Sequence, residues 1–213
     1  MKALIIGATG ATGTTLTEQL LNHANFSHIT VFVRKPLALM HPKLTVEVID
    51  FDKPDTWADK VRGDVLFSCL GTTLKQAGSK ANQYKIDYTY QYNFAKIAKQ
   101  NGINHYVLVS SGMANANSKA YYTRLKGELD NAVMALNFNR LTILRPPLLK
   151  RPNSDRLGEV WADKILTMLG AFGVLSSQKP MPTDDLAHAM IQAVLQPATG
   201  ILEKSQIWAL IKS

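Results

Sequence analysis

The sequence contains a single cysteine, Cys69, so it holds no internal disulfide; a disulfide-stapled scaffold is excluded and a reducing compartment is favoured. Long apolar runs are missing too. The longest, residues 165–175, is interrupted by Thr167, Gly170 and Gly173, whereas a membrane-spanning helix needs about 20 apolar residues. After Lys2 only residues 3–6 are apolar before glycines and threonines begin, too short for a secretory signal. Basic charge is in excess, with 24 Lys and Arg against 16 Asp and Glu, yet no basic run exceeds two residues. Nucleic-acid binders gather such charge into stripes that neutralise successive phosphates, so scattered cations suit an anionic small molecule better. The five histidines form no H-E-x-x-H and pair with no cysteine, which leaves no metal site. A G-x-S-x-G elbow and a G-K-[ST] phosphate loop are also absent, which argues against serine-hydrolase and ATPase chemistry. Cys69 has no activating base in view and reads as a packed strand residue. These absences predict a soluble, cytoplasmic protein with no nucleic-acid partner and no membrane span.

What remains is ample for a core. The 213 residues are 46% hydrophobic and 19% charged, the range of one globular domain with an appendage. Strand-like apolar runs at 2–6, 29–33, 44–49, 64–70, 105–109 and 141–144 alternate with helix-spaced segments at 12–22, 80–100 and 118–136. Asn101-Gly102 supplies a helix stop, and Pro146-Pro147 ends the sixth strand. Such alternation predicts an α/β fold: a doubly wound parallel sheet flanked by helices, a single dinucleotide-binding domain over residues 1–213. After Pro147 a polar basic loop precedes helical patterns at 159–172 and 183–195, the second with Thr183 as N-cap and Asp184 and Asp185 in its first turn. Residues 148–213 are too few for a second domain. They are expected to form a small cap on the substrate side.

Gly7-Ala8-Thr9-Gly10-Ala11-Thr12-Gly13 sits between the first strand and the first helix. The spacing G-x-x-G-x-x-G permits a tight turn and close backbone approach, while the following helix offers unpaired amides to a pyrophosphate. Glycines also mark ordinary turns, but this placement favours a dinucleotide. An NAD site usually carries an acid about 20 residues further on, for the ribose hydroxyls. Here the second strand ends in Val33-Arg34-Lys35, and no Asp or Glu lies between Glu18 and Glu47. A guanidinium suits a 2′-phosphate, so the expected cofactor is NADP(H). Asp50 and Phe51, ending the third strand, are candidates for the adenine side. Leu70, Gly71 and Thr72 place small and hydroxyl groups at the sheet's carboxyl edge, where ligands of open α/β sheets bind.

Tyr122 and Lys126 are four apart on one helix and share a face. An ammonium beside a phenol favours the phenolate, so Tyr122 is expected to have its pKa lowered and to act as acid or base. Spacing alone is weak evidence, because chance supplies roughly 0.6 such pairs in this composition. Tyr92 and Lys96 are indeed a second pair. Only Tyr122, however, follows a strand that delivers a serine, Ser111, to its carboxyl end.

The glycine loop, residues 69–73, Ser110-Ser111, Tyr122 with Lys126-Gly127-Glu128, and Arg145-Pro146 together resemble the atypical extended short-chain dehydrogenase/reductases, specifically the branch of Tat-interacting-protein-like oxidoreductases. The resemblance covers nearly the whole chain. It implies NADPH bound through Gly7, Gly10, Gly13 and Arg34, with Tyr122, Lys126 and Ser111 catalytic and Lys126 also on the nicotinamide ribose. The separation of Ser111 from Tyr122 is shorter than in most members. Three functions follow as candidates: an NADPH-dependent reductase or dehydrogenase of a small carbonyl or alcohol, an NADP(H)-binding redox regulator acting through a protein partner, and an NAD-dependent epimerase or dehydratase. The Tyr–Lys pair counts against a pure sensor, and Arg34 against an NAD enzyme.

Overall fold

The computed structural model describes residues 1–150 and 180–212. Among them seven parallel strands form one sheet: β1 (Lys2–Ile6), β2 (His28–Val33), β3 (Leu44–Val48), β4 (Val65–Ser68), β5 (His105–Val109), β6 (Arg140–Leu144) and, after the two-residue strands β7 (Leu149–Lys150) and β8 (Met181–Pro182), β9 (Gly200–Leu202). The spatial order is β3-β2-β1-β4-β5-β6-β9, while β7 and β8 pair separately. The chain builds outward from β1 to β3 and then returns to place β4 on the other side of β1. A crevice opens at that reversal, above the carboxyl ends of β1 and β4.

Alternation along β1 shows why both faces are covered. Ala3 and Ile5 point into one core with Leu16 and Leu20 of α1 (Ala11–Asn22). Leu4 and Ile6 point into the other, against Phe94 and Leu129. The second layer is built by α2 (Leu74–Ala77), α3 (Lys80–Tyr84), a π-helical turn (Lys85–Tyr90), α4 (Gln91–Gln100) and α5 (Tyr121–Met134). Sequence periodicity merged α3, the π turn and α4 into one helix, and the stop at Asn101-Gly102 is real, with Gly102 left-handed at φ +82°.

Of the segment expected to form a cap, residues 180–212 pack into the sheet and its α1-side core, and residues 151–179 lie outside the described residues. Helix α6 (Thr183–Leu195) buries Leu186, Met190 and Ile191 in the same core as α1, β9 extends the sheet beyond β6, and α7 (Lys204–Ile211) adds Ile207 and Leu210 to that core. Short β9, which holds only one fully buried residue, gave the sequence too little pattern to reveal it. Pro182, not Thr183, occupies the N-cap of α6; Thr183 is its first helical residue, with a buried hydroxyl. The expected helix at 159–172, the apolar stretch 165–175 and the cations Arg151 and Arg156 lie outside the described residues.

Candidate active site

The glycine loop is folded by contact rather than by its own preference. Gly7 has φ +82°, and a side chain there would start 2.5 Å from the nitrogen of Leu70. A Cβ on Gly13 would collide with the Gly7 carbonyl. Both glycines let the loop press onto β4 and α1 onto the loop. Gly10 differs. It is exposed, its φ is ordinary, and an added Cβ would meet only the Gly7 oxygen at 3.4 Å. No packing within the protein requires glycine there, so the open space above it suits a ligand. Gly10 caps α1 without a side-chain hydrogen bond, and no acidic residue lies in the first turn. The leading amides of α1, beside Thr9, Ala11 and Thr12, thus have no side-chain cap and no competing carboxylate, the electrostatics a pyrophosphate needs.

At the end of β2, Arg34 and Lys35 are exposed, and Arg34 forms no ion pair among the described residues. Its side chain shares a small cleft with Phe51, Leu70, Ile86 and Tyr90. Tyr90 is tilted against Phe51 at 5.2 Å and donates to Asp52 Oδ1 at 3.0 Å. Asp50 is exposed, accepts from the Asp52 amide at 3.0 Å and lies 3.6 Å from Lys53. Ile86 and Tyr90 escaped sequence reading because they reach the cleft from the other side of the fold.

The catalytic candidates come from β5 and α5. Ser110 and Ser111 follow β5, and the loop beyond them crosses the start of α5, with the Asn115 amide donating to Thr123 O at 3.0 Å. That crossing depends on Gly127, where any Cβ would overlap Ala116 and Asn115. Ser111 Oγ accepts weakly from Met113 N at 3.4 Å. Lys126 is 3% exposed, an unusual place for an ammonium unless charge surrounds it.

That charge comes from Tyr122 and Asp130, one turn away on either side along α5, and from Asp87 on the π turn. Burial pushes Lys126 down, but these three neighbours outweigh it and its pKa is raised. The expected lowering at Tyr122 is not found. Burial raises the phenol, Lys126 lowers it, Asp87 raises it again, and the net direction is upward. Sequence reading counted the lysine and missed both desolvation and the opposing carboxylate. The rival Tyr92 is spent in packing: Tyr84, Tyr88 and Tyr92 stack at 4.9 and 5.9 Å along one helical face, and Lys96 is exposed.

Arg145, which with Pro146 is a candidate cofactor contact, is engaged in ion pairs. Its guanidinium holds Asp130 Oδ2 at 2.9 and 3.0 Å and Glu203 at 3.2 Å, tying α5 to the start of α7. The Pro146 carbonyl accepts from the Gly112 amide at 3.0 Å, which fixes the loop that carries Ser111. Leu70 lines the cleft beside Arg34, Gly71 follows it, and Thr72 is held through its backbone by Asp87 (2.7 Å) and Gln83 (3.2 Å). Cys69 is half-buried, and desolvation pushes its thiol up to about 12, which leaves it a poor nucleophile at neutral pH. No group of three or more metal-ligating side chains exists among the described residues, and no helix among them is long and apolar enough to cross a membrane.

Comparison with known proteins agrees with this geometry. The family model described as NAD(P)H-binding matches residues 7–197. The chain is 34% identical over 208 residues to Protein HTATIP2 of Rattus norvegicus, covering 93% of this chain and 83% of that protein. It is 36% identical over 223 residues to the Eremothecium gossypii protein named FMP52, mitochondrial, covering 100% and 98%. Among solved structures, a short-chain dehydrogenase/reductase superfamily protein from Agrobacterium tumefaciens with bound NAD aligns with TM-score 0.73 at 13% identity, over 94% of this chain and 76% of that one. The UDP-glucose 4-epimerase of Thermotoga maritima aligns with TM-score 0.72 at 15% identity, over 100% and 82%. These last two share the fold. With a glycine loop open at Gly10, a sheet reversing beside β1 and a buried lysine under a tyrosine, the chain belongs to the NAD(P)H-binding family, as an atypical short-chain dehydrogenase/reductase of the HTATIP2 branch.

Proposed function

We propose that the protein is an NADPH-dependent oxidoreductase that transfers a hydride to or from a small carbonyl or alcohol, with Tyr122 as the acid or base. The observation that carries this reading is Lys126, buried at 3% exposure within reach of the Tyr122 charge. Burying an ammonium costs several kcal/mol unless it is compensated, so a packed structural helix has no use for one there. The residues present fit the cofactor. Gly10 and the α1 amides would take the pyrophosphate, Arg34 the 2′-phosphate, Phe51 and Tyr90 the adenine side, and Leu70, Gly71 and Lys126 the nicotinamide half. A bound nicotinamide supplies the hydride. The chain does the rest: Ser111 holds the substrate oxygen, and Tyr122 exchanges a proton with it. Lys126 would stabilise the phenolate left when Tyr122 gives up its proton.

Arg34 favours NADP(H) because a guanidinium makes charge-assisted bonds to a phosphate and meets only neutral hydroxyls in NAD. The test is an NADPH-oxidation screen over aldehydes, ketones and quinones, run beside Tyr122→Phe. The substituted protein is expected to keep its cofactor affinity and to lose turnover by at least about 100-fold, the usual worth of a general acid. Undiminished turnover would remove Tyr122 from the chemistry.

A further inference from the structure

Two buried carboxylates, Asp87 and Asp130, surround Lys126, and the proton transfer described above uses neither; Asp130 is held by Arg145. Asp87 is fully buried on the π-helical turn between α3 and α4. Such turns are rare and collect at functional sites. This one is held open by Gln91, whose Nε2 donates to the Asp87 carbonyl at 2.7 Å while its Oε1 accepts from Ser68 at 2.7 Å. The Asp87 carboxylate is used asymmetrically. Oδ1 accepts from the Thr72 amide at 2.7 Å, but Oδ2 is buried with no hydrogen-bond partner. An unpartnered buried carboxylate oxygen is costly, and the charge of Lys126 and the Gln83 side chain offset that cost.

We propose that Asp87 is a positioning residue with two tasks: Oδ1 anchors the Leu70–Thr72 loop beside the cofactor crevice, and Oδ2 balances the Lys126 charge so that Tyr122 enters the reaction as a proton donor. The inference rests on the oxidoreductase reading and gives it a direction. A lysine alone would pull the phenol toward phenolate, the form that suits alcohol oxidation. A lysine balanced by a carboxylate leaves the phenol protonated at neutral pH, the form that suits carbonyl reduction. In that direction a hydride from NADPH forms the new C–H bond. The carbonyl π pair takes the Tyr122 proton to form the O–H, leaving alcohol and NADP⁺, and the phenolate regains its proton from solvent.

The charged and titratable groups facing this cluster are Tyr122, Lys126 and Asp130 on α5, Tyr121 at its start, and Arg145 on the Asp130 side. Asp130 Oδ1, like Asp87 Oδ2, is buried without a hydrogen-bond partner, but Asp130 is ion-paired with Arg145, whereas Asp87 forms no ion pair among the described residues.

Asp87→Asn separates the two tasks, since an amide oxygen still accepts from Thr72 while the charge is gone. The measurement uses the full chain without cofactor or substrate: ultraviolet titration of tyrosinate, with Tyr122→Phe made in the same background to isolate the Tyr122 contribution. Removing Asp87's charge is expected to move the Tyr122 midpoint about one pH unit lower, as loss of a nearby like charge does. An unchanged midpoint in the folded variant would overturn the proposal. Should that variant fail to fold, Lys126→Gln gives the second readout. Deprived of its cation, Asp87 is expected to take up a proton and show a carboxylic-acid stretch in the infrared near neutral pH; a persisting carboxylate signal overturns the proposal equally. Neither readout needs turnover, so an inactive protein would count against the oxidoreductase reading without touching this one.

Discussion

Individual residues in this fold are governed by what burial does to charge. His105 is 4% exposed at the lower edge of the sheet. Thr142 Oγ1 donates to the Ala198 carbonyl at 2.7 Å, so at 3.1 Å it must accept from His105 Nε2–H, which fixes the neutral tautomer and leaves Nδ1 buried without a partner. Burial, helped by nearby Arg140, holds the imidazole pKa down to about 4. The unfolded chain therefore binds this proton first as pH falls below the ordinary value near 6.5. Folding stability from His105 is intact at neutral pH and declines progressively from about pH 6.5 to pH 4. Between pH 7 and pH 5 the loss is expected to be about 2 kcal/mol. Urea titrations at the two values, compared with His105→Gln, check it: the variant should lose correspondingly less, and parallel slopes would exclude His105 as the source.

At the scale of elements, the loop after β5 and helix α5 act as one unit. Their contact at Gly127 brings the backbone of Asn115 and Ala116, in the loop that follows Ser111, against the helix. Gly127→Val would force the loop away. A destabilisation of about 1–3 kcal/mol is expected, as for other overpacked sites, with turnover falling more steeply than cofactor affinity because the loop bears on Ser111 and Tyr122. Thermal melts and NADPH titration of the variant would show it, and a fully active, equally stable protein would refute the coupling. Most elements on this side could be read from the sequence. β1, β2 and β5 are apolar runs of the right length, and Tyr122 and Lys126 share a helical period. Asp130 continues that same spacing and was legible in principle. Asp87 was not. Nothing local marks it, because its importance comes from β4's loop and α5, both distant in sequence, and from a π turn that no periodicity announces.

Among the described residues the molecule is a parallel sheet whose order reverses beside β1, where open α/β sheets bind their ligands. That architecture was readable because alternating apolar runs and helices allow few other arrangements. The closing edge was harder. Three-residue β9 has little pattern, and α6 is positioned by packing on α1 and by Arg140, which donates to the Ala193 and Val194 carbonyls at 3.2 Å across the chain. With the fold complete, function reduces to whether the crevice takes NADP(H) at the start of α1 with Arg34 on its 2′-phosphate. Isothermal titration of NADPH and NADH into the protein and into Arg34→Ala tests this most directly. One saturable NADPH site per chain is expected, tighter than for NADH, with the substitution costing NADPH about 1–3 kcal/mol more than NADH. No heat from NADPH at millimolar concentration, or equal losses for the two nucleotides, would contradict it.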